Sequence, residues 1–208
     1  HATLTSTNGP AYAALIETDA AGNSDEGIEL TMNSLGSAFS ALAFVDVTGN
    51  ANQGVLVNQT STGDNALALL GGVDAVSNGT IGIHYNLTAA DLAAACITES
   101  ESLYNGGAGA NLALTAGGDA ALLMGTNALA NLLGSGYVGG FSGVLLGAAA
   151  DLIPVDEPEF NNNGAAGLRA EMTSTGGDVL FNIDGVIAHG NTNNGLNLVL
   201  NAPAGDIL

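Results

Sequence analysis

The sequence predicts a mainly β fold: an antiparallel β-sandwich of jelly-roll type with a helical insertion in the middle third. Three observations carry this expectation. Several segments alternate apolar and polar residues with a period of two. Gly, Asn and Asp punctuate the chain at short intervals, as hairpin turns do. Two Ala- and Leu-rich stretches near the centre open and close with helix-capping residues.

The strands follow from the alternation. Ile28, Leu30 and Met32 share one face of residues 27–33, and Ile81, Ile83, Tyr85 and Leu87 share one face of 80–87. Leu196, Leu198 and Leu200 do the same in 195–201. Residues 2–7, 43–48, 54–59, 111–115 and 178–189 complete the set, the last bending at Gly185. Turn signals such as Asn8-Gly9-Pro10, Asn78-Gly79 and Gly176-Gly177-Asp178 lie between them.

The helical reading rests on Thr88 as an N-cap and Asp91 in the first turn, opening onto residues 92–103 and stopped by Gly106-Gly107. Residues 119–133 form the second expected helix, with shorter ones at 34–42 and 141–153. The uncharged, Gly-rich stretch 134–147 reads as buried, in the fold or between subunits. The acidic, Pro-bounded stretch 154–164 is the clearest loop. No internal repeat of fixed period is legible, so the expectation is one domain over 1–208 rather than a solenoid or propeller.

Composition narrows the function. Charged residues are only 10% of the chain while 47% are hydrophobic, a balance that folds rather than remaining disordered. Lys and Arg together number one, Arg169, against twenty Asp and Glu, giving a net charge of −19. Such a chain cannot neutralise a phosphate backbone, and anionic membranes repel it. Nucleic acid is thereby excluded as a partner. No apolar run is long enough to insert in a bilayer.

The chain opens on His1 with no Met, which suits a product of signal-peptide cleavage and predicts a secreted protein, extracellular or at the cell surface. Three N-glycosylation sequons, at Asn58, Asn78 and Asn86, agree with that address and predict a glycoprotein. Cys96, the single cysteine, sits in an apolar run and reads as a buried, inert thiol.

Candidate sites are few. An N-terminal histidine can chelate copper through its amine and ring nitrogen, and a second imidazole completes such a site; His1 with His84 or His189 is therefore a copper candidate. The resemblance to copper monooxygenases acting on polysaccharides, and to periplasmic copper carriers, is confined to that one terminal residue. Surface aromatics for docking on a polysaccharide are missing. Asp19, Asn23, Asp25 and Glu26 gather oxygen ligands in one Gly-containing loop, a calcium candidate without EF-hand order. No Gly-x-Ser-x-Gly elbow occurs, and no Lys exists to complete a phosphate loop. Carboxylate pairs such as Glu99 with Glu101 are what any acidic chain supplies.

The expected function is therefore non-catalytic, with no required cofactor except Ca²⁺ as a structural candidate. The leading reading is an extracellular structural protein: a self-assembling homo-oligomer or homopolymer of a filament, sheath or biofilm matrix, joined by strand exchange of residues 2–7. The alternatives are a glycan-binding or adhesin-type β-sandwich module and a copper protein organised around His1.

Overall fold

The computed structural model describes residues 1–125 and 157–208. Two parallel sheets face each other, and the chain passes from one to the other in successive coils. The first sheet holds β1 (Ala2–Ser6), β3 (Ile28–Ser34), β5 (Val55–Ser61), β7 (Ile83–Ala89), β10 (Ala110–Ala116), β12 (Leu168–Ser174) and β14 (Leu196–Asn201), adjacent in that order. The second holds β2 (Ala11–Ala21), β4 (Ala38–Thr48), β6 (Ala66–Val76), β8 (Ala93–Thr98), β11 (Ala120–Met124) and β13 (Val179–Ile183), with short β9 (Glu101–Leu103) also on β6. Every strand pair is parallel, and the described residues contain no helix.

The protein is thus a β-solenoid, which overturns the antiparallel sandwich and the helical insertion. The error has a physical cause. A half-buried strand alternates identically whether its neighbour runs parallel or antiparallel, so period two does not fix direction. The turn residues carry the chain across to the facing sheet instead of reversing it in a hairpin. The segments read as helices are strands of the second sheet: all six residues of β8 and all five of β11 are buried. A strand buried on both faces loses its alternation and reads as a continuous apolar run. Residues 34–42 likewise run into β4. The expected helix 141–153, the stretch 134–147 and the end of 119–133 lie outside the described residues.

A repeat does exist. Ala2 pairs with Leu30, Ile28 with Val55, Val55 with Ile83 and Ile83 with Ala110. Equivalent residues are 27 or 28 positions apart, except for a 58-residue step that contains residues 126–156. That uneven spacing hides the period. Its sequence mark is Asn-x-x-x-Gly, found at Asn23/Gly27, Asn50/Gly54, Asn78/Gly82, Asn105/Gly109, Asn163/Gly167 and Asn191/Gly195.

The asparagines form a ladder down one corner. The backbone N–H and the Nδ2 of Asn50 both donate to Asn78 Oδ1, at 3.1 and 2.9 Å, and those of Asn78 to Asn105 Oδ1, at 2.9 and 3.0 Å. Asn105 continues to Asn163, and Asn163 to Asn191. The second Nδ2 hydrogen reaches a backbone carbonyl of the preceding strand, as from Asn78 to Val47 at 3.0 Å. Each amide is satisfied where it is buried, which is what makes a buried polar column tolerable. The following glycine makes room: a Cβ at Gly27 would stand 2.6 Å from Asn50 Nδ2.

Between the sheets lies one apolar core. The first sheet contributes rows such as Ile28, Val55, Ile83 and Ala110, and Leu30, Val57, Tyr85 and Leu112. The second faces them with small residues, including Ala66, Ala68, Ala93 and Ala95. Small against large is how two facing layers fill a narrow space without voids. Outward positions of the second sheet, among them Leu67, Leu69, Ala94 and Cys96, are also fully buried.

Candidate functional surfaces

A solenoid offers repeated side chains in rows, so its sites are rows rather than isolated pockets. On the first sheet the outward positions of each strand line up across the coils. One row begins at His1 and continues through Glu29, Leu56, His84, Asn111, Arg169 and Asn197. His1 Nδ1 meets Glu29 Oε2 at 2.6 Å. His84 stands three strand spacings away, about 14 Å at the usual parallel separation. Its ring lies between Gln53 Nε2 (3.4 Å) and Asn111 Nδ2 (3.3 Å), and burial holds its pKa below the ordinary 6.5. His189 lies between β13 and β14, with its backbone N–H donated to Asn161 Oδ1. The structure does not bring the three histidines together.

The calcium candidates also part company. Asn23 is the first rung of the ladder, donating to Asn50 Oδ1 at 2.8 Å. Asp25 accepts from Asn52 Nδ2 of the next coil. Asp19 belongs to the outer face of β2. Burial and Asp25 push the Glu26 carboxyl up from its ordinary value. Among the described residues, no three His, Cys, Asp or Glu side chains are grouped so as to hold a metal ion.

Of the sequons, Asn58 and Asn86 face outward in neighbouring coils of the first sheet, Asn86 Nδ2 donating to Asn58 Oδ1 at 2.8 Å. Asn78 is buried as a rung of the ladder, and the folded chain does not present its amide. Cys96 is buried in β8, and desolvation raises its thiol to about 12.

The two outer faces differ in chemistry. Beyond the first row, the first sheet carries Thr3, Thr31, Asn58, Asn86, Ala113, Glu171 and Val199, then Thr5, Asn33, Thr60, Thr88, Thr115, Thr173 and Asn201. The second sheet instead aligns carboxylates: Asp19, Asp46, Asp74, Glu101 and Glu159 fall on one row. A stacked bend precedes that row, with Glu17, Phe44, Gly72 and Glu99 all at positive φ (49°, 54°, 63° and 37°). Desolvation first, and then the neighbouring Asp46, raise the pKa of Asp74. Desolvation, Asp74, Glu159 and Glu99 do the same for Glu101. The acid row and the Thr/Asn rows were invisible in the linear sequence, because their members lie a coil apart. Only the Asn-x-x-x-Gly spacing could have aligned them.

A concavity of about 630 Å³ runs beside Arg169 and is lined by Asn111, Asn193, Asn194 and Asn197. Arg169 reaches Glu171 Oε2 at 3.4 Å. None of the described helices is long and apolar enough to cross a membrane, there being no helix among the described residues. No protein-family model matches the chain, and no curated protein or solved structure matches it either.

Proposed function

We propose that the protein is an extracellular structural component that assembles by extending its own stack of coils. The observation behind this reading is the state of the two terminal coils. Among the described residues β1 pairs only with β3, and β14 only with β12, so the described stack has an unpaired parallel strand edge at each end. At the β14 end the core-row residues Leu196 and Leu198 are 41% and 36% exposed, and Ile207 and Leu208 more so. At the other end Leu4, Ala13 and Leu15 are only partly buried.

Every internal coil buries such residues under a neighbour of the same cross-section, at the same register. A second copy seated on β14 through its own β1 and β2 continues that pattern. This contact is head-to-tail and does not close on itself, so it yields rods rather than dimers. β1 is already a member of its own sheet, so the joint is edge stacking and not the exchange of a loose N-terminal strand. The edge strands β1 and β14 carry no charged side chain, which favours the contact, whereas the net charge of −19 opposes side-by-side association.

Light scattering across a concentration series, with negative-stain microscopy, tests the reading. The expected result is concentration-dependent rods one solenoid wide, abolished by Leu198→Glu or Leu4→Glu with the β-sheet signal unchanged. A chain that stays monomeric at every concentration and salt level overturns it.

A further inference from the structure

We propose that two adjacent outward rows of the first sheet, those beginning at Thr3 and Thr5, bind ice. The argument starts from what is missing there. The chain carries twenty carboxylates, yet the two outward rows that begin at Thr3 and Thr5 contain one charged side chain, Glu171, among the described residues. The rest are Thr or Asn, apart from Ala113 and Val199. On the opposite sheet the acids line up instead, from Asp19 to Glu159. A charged group holds a tight hydration shell that fits no crystal of water. These two rows are nearly free of charge in a chain this acidic, and the charges on the same face, Glu29 and Arg169, are confined to the neighbouring row that begins at His1; the two rows fit a neutral partner.

Geometry then selects the partner. Coil-to-coil spacing in a parallel sheet is about 4.8 Å, and alternate residues along a strand are about 6.6 Å apart. The Thr and Asn side chains therefore stand on a near-rectangular net. The prism face of hexagonal ice repeats its oxygens on a rectangular net whose two spacings lie within roughly a tenth of these. Flexible polymers offer no such two-dimensional lattice.

The side chains are also held in place. Threonine is stiff at χ1, so each Thr fixes one hydroxyl and one methyl over the sheet. Asn58 and Asn86 lock each other through their 2.8 Å amide bond. The row Thr5, Asn33, Thr60 borders a trough of about 310 Å³ whose other wall includes Thr7, Leu35 and Thr62. Methyls along such a trough cage water while hydroxyls and amides anchor it, so the first layer is ordered before the crystal arrives. Little side-chain entropy remains to be lost on binding, the usual benefit of a preorganised surface.

The test uses the full chain made without glycosylation, because sugar on Asn58 or Asn86 would cover the face. Thermal hysteresis and the shape of a single growing ice crystal are measured in a nanolitre osmometer. The wild type is expected to give a hysteresis gap and faceted crystals. Thr60→Tyr and Thr88→Tyr, outward on this face, are expected to lose both, with unchanged circular dichroism and melting. Thr48→Tyr, the same change exposed on the other sheet, keeps wild-type activity. A wild type that freezes like an inert protein of equal concentration overturns the proposal, as does full activity in both face variants. Ice adsorption by the monomer is separate from end-to-end assembly, so either reading can fail alone.

Discussion

At the scale of single residues, the Asn ladder is the most consequential feature. Asn105 accepts from Asn78 twice and donates to Ala75 O, Ser102 Oγ and Asn163 Oδ1. Asn105→Ala removes these bonds and strands the buried N–H of Asn78. The expected loss is about 3 kcal/mol of stability, read from a urea melt; a change below a fifth of that would show the ladder to be ornamental. Tyr85 makes the opposite case. Its ring fills the core, but among the described residues its buried hydroxyl finds no hydrogen-bond partner, the nearby Ser40 donating to Gln59 Oε1 instead. Desolvation drives its pKa far upward. Tyr85→Phe is expected to leave the melting temperature unchanged or raise it, since it removes a polar group with unmet demand. A clear drop would reveal a partner for that hydroxyl, most simply an ordered water.

At the scale of the element, the acid row sets the response to pH. Asp74 and Glu101 have folded-state pKa values above their ordinary 3.8 and 4.5. As pH falls through the raised values the folded form takes up protons before the unfolded chain does. Their contribution therefore destabilises at neutral pH and is relieved by mild acid, the reverse of a salt-bridged carboxylate. His84 acts in the other direction, because its lowered folded pKa costs stability as pH drops below 6.5. Asp74→Asn separates the two. The variant is expected to melt higher than wild type at pH 7, with the gap closing toward about pH 4, below the raised range. No gap at pH 7 would mean that the row is well solvated, and a gap that does not close in acid would mean that it does not arise from the charge on Asp74. The same elements show what was legible. Strands of the first sheet were readable because one face is wet, and the expected segments 27–33, 80–87 and 195–201 overlap β3, β7 and β14. β8 and β11 were not, because Ala93–Thr98 and Ala120–Met124 are buried on both faces and lose their period.

At the scale of the whole molecule, stability is a sum over coils and the contacts between neighbours. That is why the ends matter: Leu196 and Leu198 occupy core rows but, among the described residues, have no further strand beside them like the one that covers Leu168 and Ala170. The β class could be read from composition and turns. Strand direction could not, since Asn and Gly punctuate a solenoid corner as readily as a hairpin. Nor could the candidate surfaces. Thr60 and Thr88, or Asp46 and Asp74, become neighbours only once a 28-residue coil is wound. Among the site signals read in the sequence, His1 faces Glu29 rather than a second imidazole.

The ladder also governs how the molecule ages. Three of its rungs are followed by glycine, at Asn78-Gly79, Asn105-Gly106 and Asn163-Gly164, the dipeptide most prone to deamidation. The reaction needs the next residue's backbone nitrogen to turn and attack the side-chain amide carbon. Here each of those nitrogens is bonded to the coil before it, Gly79 to Asn50 O, Gly106 to Asn78 O and Gly164 to Asn105 O. The amides they would attack are buried and held from both sides. Folded, the chain protects these three bonds, unlike Asn8-Gly9 and Asn194-Gly195, whose asparagines are exposed; unfolded, it exposes all three together. Isoaspartate at these positions would accordingly record the time a molecule has spent uncoiled, and each such lesion would break a rung and make rewinding harder.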